Sequence, residues 1–203
     1  MLFSFIGVRL KMFMSPSKID YLDFLKTVGR SKRLLRSGWV REKVKDPESV
    51  AEHSFRVGVL AMVLSDKLGY KLDQEKLMKM ALLHDLGEVV TGDTVTERWD
   101  IIDLKKRNEK EQEEREGIRA IFDKIGEADT YLAIYDEMVD RTTDEAKVFW
   151  QIDKLEMALQ ALEYEKEQGK NLEEFFLSVS LYHVKDPLIK NIFEQIVRSR
   201  REK

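Results

Sequence analysis

The chain has 203 residues and a mass of 23.9 kDa, enough for one domain with a sizeable buried core. Hydrophobic residues make up 43% and exclude general disorder, and 35 basic against 38 acidic residues leave a net charge of -3, with none of the basic excess that nucleic-acid polymers attract. Cysteine is absent, so neither a disulfide framework nor a thiolate metal site can form. Any metal must therefore sit on His, Asp or Glu, and the composition suits a cytoplasmic protein.

Residues 1–16 read as an N-terminal arm of a single domain spanning 1–203, with Met12 and Met14 as alternative starts. The arm is apolar but too short to span a bilayer, and no later segment is continuously apolar for long enough. Apolar residues recur every three or four positions, and only 3 prolines and 10 glycines interrupt them, which predicts an all-α fold. The pattern places a first helix over about Ser17 to Arg30 with Ile19, Leu22, Leu25 and Val28 inward, then a loop through Arg33, Arg36, Gly38 and Trp39. Ser49-x-x-Glu52 is a capping box, so a second helix begins near Val50, runs inward through Val57, Leu60, Met62 and Leu64, and stops at Gly69. A third helix is expected from about Asp73 to Val89, ended by Thr91-Gly92-Asp93. Charged residues from Asp103 to Glu116 lead into Ile118, Ile121 and Phe122, a solvated helix with a short apolar stripe and no assigned chemistry. Thr142-x-x-Glu145 reads as a second capping box for a helix reaching Gln168, and a helix pair around 172–179 and 187–199 closes the chain.

The run His84-Asp85-Leu86-Gly87-Glu88 stands out because the sequence holds only three histidines. His53 falls in the first turn of the second helix, and Asp153 sits inside an apolar helix between Phe149 and Met157, where an unpaired carboxylate is costly. Taken singly, each has an ordinary structural explanation. Taken together, two of three histidines fall where a two-histidine, two-carboxylate site needs them. His183, before Asp186-Pro187, reads as structural.

The ordered set His53, His84-Asp85 and Asp153 resembles the HD-domain metal-dependent phosphohydrolase superfamily. The similarity is closest to the branch of bacterial 5′-deoxynucleotidases and the eukaryotic HD domain-containing protein 2. It extends over roughly residues 17–190 through Lys32-Arg33, Gly38-Trp39, Pro47 to Ser54, His84 to Glu88, Gly92-Asp93, Ala146-Lys147 and Glu156-Met157. The resemblance implies one divalent ion (Mn, Co, Ni, Fe, Zn or Mg) on His53, His84, Asp85 and Asp153, and a nucleoside 5′-monophosphate substrate. It also implies Glu88 and Asp93 in catalysis, Arg33 on the phosphate, and a homodimer. Arg36 and Lys32 are reserves for Arg33, and Trp39 either offers a stacking face to the base or anchors the core or loop, the commoner role of a tryptophan in such a place. Leu34-Leu35 depart from the aromatic-proline pair of the bacterial enzymes. Val89 stands where alarmone hydrolases of the superfamily carry an aspartate, and a two-metal phosphodiesterase would have only His183 to recruit. A hydrolase of another small phosphate ester and a non-catalytic metal-binding module are the remaining alternatives.

Overall fold

A computed structural model of the chain describes residues 19–69, 71–93, 104–182 and 184–202. Residues 1–16 and His183, which carry expectations above, lie outside the described residues. The described chain is all-α, as the periodicity requires. In order it comprises α1 (Tyr21–Val28), a 3-10 turn (Gly29–Lys32), α2 (Ser37–Arg41), α3 (Val50–Ser65), α4 (Gln74–Leu83) and α5 (Glu88–Thr91). There follow α6 (Leu104–Phe122), a second 3-10 turn (Asp123–Ile125), α7 (Ala128–Asp140), α8 (Asp144–Gln168), α9 (Glu173–Tyr182) and α10 (Pro187–Arg201). No strand forms among the described residues; Leu35 and Ser49 pair in a single antiparallel bridge.

The centre of the fold is α8, the longest helix, with α3, α4, α7, α9 and α10 packed around it. Its buried residues include Phe149, Ile152, Leu155, Ala158 and Ala161, which follow one another at three positions and so wind around the helix, as a helix covered on several sides requires. Val57, Ala61 and Leu64 of α3 and Leu77, Met80 and Ala81 of α4 meet them in one core. The capping box at the start of α3 forms: the Ser49 side chain accepts from the Glu52 amide and Glu52 reaches back to the Ser49 amide. At the far end of α8, Gly169 takes the left-handed conformation (φ 64°) that stops the helix.

Four expectations are corrected. In α1 the inward residues are Phe24, Thr27 and Val28, whereas Ile19, Leu22 and Leu25 are more than half exposed. Apolar residues flank this helix on two sides, and the aromatic contact of Phe24 with Phe122, ring centroids 5.5 Å apart, decides which side faces in. On α3, Met62 also faces outward. The cap of α8 is Thr143 rather than Thr142, because it is the Thr143 hydroxyl that accepts from the Ala146 amide; Glu145 accepts instead from the Asp73 amide at 2.8 Å. The helix expected over 73–89 is broken: α4 ends at Leu83, His84 to Gly87 form a turn, and α5 resumes at Glu88. The sequence pattern also did not mark out α7, whose Leu132, Tyr135 and Met138 enter the core.

A backbone contact fixes that turn against α6. A Cβ on Gly87 would lie 2.4 Å from the Glu114 carbonyl oxygen, and one on Gly117 would lie 2.4 Å from the Gly87 carbonyl oxygen. Neither neighbour is a flexible side chain that could yield. Gly87→Ala and Gly117→Ala are each expected to destabilise the fold by about 1–3 kcal/mol, the usual cost of overpacking, read as a lowered Tm in thermal denaturation.

Candidate metal centre

Three chain segments deliver the predicted ligands to one buried point: α3 brings His53, the turn after α4 brings His84 and Asp85, and α8 brings Asp153. His53 is fully buried, and His84 and Asp153 nearly so. The Nε2 atoms of the two histidines are 3.1 Å apart, and Asp153 Oδ1 lies 3.2 Å from His53 Nε2 and 3.9 Å from His84 Nε2. Asp85 Oδ2 is 3.1 Å from His84 Nε2 and 3.8 Å from His53 Nε2. Ligand atoms of His53, His84 and Asp153 all fall within 4.8 Å of one another, and Asp85 borders that group.

The partners of the outer ring nitrogens settle the tautomers. His84 Nδ1 lies 2.9 Å from the Ala81 carbonyl, which only accepts, so Nδ1 carries a proton. His53 Nδ1 lies 2.5 Å from Glu156 Oε2, and Glu156 is held below its ordinary range; burial works against its charge, but His53 and Arg56 more than compensate. Both imidazoles therefore direct Nε2 at each other and at carboxylate oxygens. This is a donor-poor pocket that a cation satisfies and hydrogen bonds alone do not. The residues present fit a divalent ion, and two imidazoles with two carboxylates suit any of the borderline or harder divalent metals.

Supporting groups orient the ligands. Glu156 is one helical turn beyond Asp153 on α8, and Arg56 donates to Glu156 Oε1 at 2.8 Å, to Gln160 at 2.6 Å and to Glu163 at 2.7 Å. Lys154 Nζ meets the second Asp153 oxygen at 3.0 Å, leaving Oδ1 toward the histidines. Phe149 packs on the His84 ring at 5.2 Å. Burial opposes ionisation of Asp153, yet Lys154 and the two histidines hold it well below the ordinary carboxylate range. Burial and Arg36 push His53 down, but Glu156 and Asp153 outweigh them and raise it to about 9.

The remaining predicted site residues are distributed differently. Glu88 is 3% exposed; burial, with Asp85 and Asp93 nearby, pushes it up to about 10, and its Oε2 has no hydrogen-bond partner among the described residues. Asp93 Oδ2 accepts from the Ser37 amide at 2.6 Å, and the Ser37 hydroxyl returns a bond to the Asp93 carbonyl, which ties this loop to the start of α2. Arg33 ends the first 3-10 turn with its side chain exposed. The arginine that reaches the cluster is Arg36, whose Nη1 lies 2.5 Å from Asp85 Oδ2 and whose Nε lies 3.7 Å from Glu48. The loop that carries it is stitched to α3 by Arg36 N to Glu48 O at 3.0 Å and Val50 N to Leu34 O at 2.8 Å.

Trp39 offers no stacking face. It is 1% exposed, its indole N–H donates to Glu48 at 2.9 Å, and its ring stacks on Phe175 at 4.2 Å and meets Tyr164 edge-on. It anchors the loop. Sequence reasoning gave no role to Arg56 or Lys154; the spacing of Glu156 from Asp153 is the one signal that could have drawn it in.

The HD domain family matches residues 28–197. The chain belongs to this family. Relatives of the HD domain found here include the 5′-deoxynucleotidase HDDC2 of Dictyostelium discoideum, 36% identical over 90% of this chain and 99% of its own length. The proteins of the same name from Danio rerio and Homo sapiens are 35% and 34% identical over 78% of this chain, covering 78% and 76% of their own lengths. Among solved structures, a conserved hypothetical protein of Pyrococcus furiosus superposes with a TM-score of 0.71 at 32% identity, over 89% of this chain and 99% of its own. A protein of Pyrococcus horikoshii gives 0.70 at 32% identity, over 90% and 99%.

Ion binding at this centre carries a pH signature. His53 without the ion holds a proton up to about 9, above its ordinary 6.5, and Nε2 must shed that proton to serve as a ligand. The dissociation constant for Mn²⁺ is therefore expected to fall about tenfold per pH unit over the window below about 9 and to level off above it. Titration calorimetry in buffers of different ionisation enthalpy should show about one proton released per ion inside that window.

Proposed function

We propose that the protein is a divalent-metal-dependent phosphomonoesterase that releases phosphate from nucleoside 5′-monophosphates, deoxynucleotides by preference. The observation that carries this reading is the buried convergence of His53, His84, Asp85 and Asp153 beside Glu88, a buried carboxylate with one unpaired oxygen. The substrate class comes from the relatives named 5′-deoxynucleotidase. A purely structural ion has no use for a buried, underpaired Glu88.

An ion in this pocket supplies Lewis acidity toward a phosphoryl oxygen and lowers the pKa of a water. The chain's own residues do the rest. His53, once it has shed its Nε2 proton to an incoming ion, and His84 would present Nε2 lone pairs oriented by Glu156 and the Ala81 carbonyl. The charge of a bound ion would offset Asp85 and bring Glu88 down from its ion-free value of about 10, and the ionised Glu88 then takes the proton of the attacking water through Oε2, the oxygen not engaged elsewhere. Asp93 borders Glu88 and positions the substrate end of the loop. Arg33, exposed at the end of the first 3-10 turn, is the residue we assign to grip the phosphate with its planar fork, while Arg36 orients Asp85. The seal of Trp39 and Glu48 keeps that loop in place.

Other parts of the reading concern the whole molecule. Phe55, Val59, Met62 and Val63 form an exposed apolar stripe on α3 at helical spacing, and Leu82 of the adjacent α4 is also exposed. A homodimer that buries this stripe is the assembly we propose, with a cytoplasmic location. Among the described residues no helix is long and apolar enough to cross a membrane.

The decisive experiment is phosphate release from a panel of ribo- and deoxynucleoside monophosphates with each divalent ion and with chelator. Release only with an ion, and faster from deoxynucleotides, is expected; no release from any phosphoester would overturn the reading in favour of a non-catalytic module. Asp85→Ala is expected to lose ion and activity together, and Glu88→Ala to keep the ion but lose roughly 10²–10⁴-fold in kcat. Arg33→Ala should act chiefly on KM.

A further inference from the structure

The charged helix α6 reads in sequence as a solvated surface element, yet one residue on it is drawn inward. Lys110 and Glu114 lie one turn apart on the face that meets the turn before α5, and the Gly87–Gly117 contact brings that face to backbone distance. Lys110 Nζ thereby lies 3.5 Å from Glu88 Oε1 and 3.4 Å from Glu114 Oε1. Glu114 Oε2 accepts the Tyr135 hydroxyl at 2.8 Å, which secures the group to α7. The Lys110 side chain is 30% exposed, whereas the Glu88 side chain it meets is 3% exposed. A flexible ammonium that turns partly from water toward one buried and one half-buried carboxylate gives up hydration and rotamer freedom, and the compensation lies in those two contacts.

We propose that Lys110 is a positioning residue for Glu88: its ammonium holds Oε1, so that Oε2 remains the oxygen available for proton transfer. This inference rests on the hydrolase reading above. Lys110 also adds positive charge where the site is otherwise acidic. Burial, Asp85 and Asp93 favour a neutral Glu88, and Lys110 and Arg36 are the cations that oppose them. In the ion-free chain the first set prevails, and the charge of a bound ion would act together with Lys110 and Arg36 to bring Glu88 into its proton-accepting form.

The test has one arm that needs no turnover. Acetylation of lysines by acetic anhydride, read by mass spectrometry, compares Lys110 with the exposed Lys71 in the parent protein and in Glu88→Gln. Glu88→Gln replaces the carboxyl that Lys110 meets with a permanently neutral amide that offers one oxygen instead of two, and labelling of Lys110 relative to Lys71 is expected to rise. In the second arm, Lys110→Met is expected to lower kcat on deoxyadenosine 5′-monophosphate with Mn²⁺ about 100-fold, the usual cost of a misplaced catalytic group. KM and Mn²⁺ affinity should stay within about twofold, and Lys110→Arg should recover most of the rate. Should the methionine variant fail to fold, judged by its melting curve, Lys110→Gln takes the same measurements. Unchanged labelling in Glu88→Gln, parental kcat without Lys110, or a defect confined to KM or ion affinity would each overturn the proposal. If the parent protein hydrolyses no nucleotide, the function reading fails, and the acetylation arm alone decides the Lys110–Glu88 pairing.

Discussion

Two imidazole nitrogens and two carboxylate oxygens are pressed together with only Asp85 partly open to solvent, and such a set is stable only around positive charge. In the ion-free protein that charge is a proton on His53, which explains why its basicity rises although burial and Arg36 push the other way. Arg36 against Asp85 and Lys154 against Asp153 perform the same neutralisation from the rim. The packing follows from this demand. The ligands must be fixed, so α3, the turn after α4 and α8 meet through apolar faces, with Phe149 under His84 and the Arg56–Glu156 clamp behind His53.

The break in the helix at His84 serves the same end. Adjacent residues on a continuous helix point about 100° apart, which would leave His84 and Asp85 facing one point only obliquely. In the turn His84–Gly87, Asp85 Oδ2 instead comes within 3.1 Å of His84 Nε2. The restart at Glu88 then sets a third carboxyl group nearby without making it part of the ligand cluster. Gly87 allows this by admitting α6 to backbone contact, and α6 in turn closes the polar side of the site with Lys110 and Glu114.

What the sequence made legible follows from how constraining each feature is. Histidine is rare in this chain, and so its positions carried weight; the capping box at Ser49 and the glycine stop at Gly169 have specific backbone requirements and formed where expected. The inward face of α1 was misread because both sides of the helix are apolar and only the contact between Phe24 and Phe122 distinguishes them. Trp39 was ambiguous because a tryptophan that anchors a loop and one that stacks on a base share the same neighbours in sequence. Lys110 and Arg56 were invisible for a different reason. In helices this rich in charge, a residue that reaches inward has the same sequence context as one that faces water, and only tertiary packing separates them.

His53 and His84 are 31 positions apart, and His53 and Asp153 are 100 apart. One ion held by all three closes two long loops of the chain at once, and so acts as a reversible cross-link on the folding of the domain. Because the separated ligands cannot be gathered in the unfolded chain without a large loss of conformational entropy, the ion binds almost solely to the native state, and each tenfold rise in its free concentration above the dissociation constant adds about 1.4 kcal/mol of stability. On the reading proposed above, the supply of metal would then set the stability of the fold as well as whether its site can function.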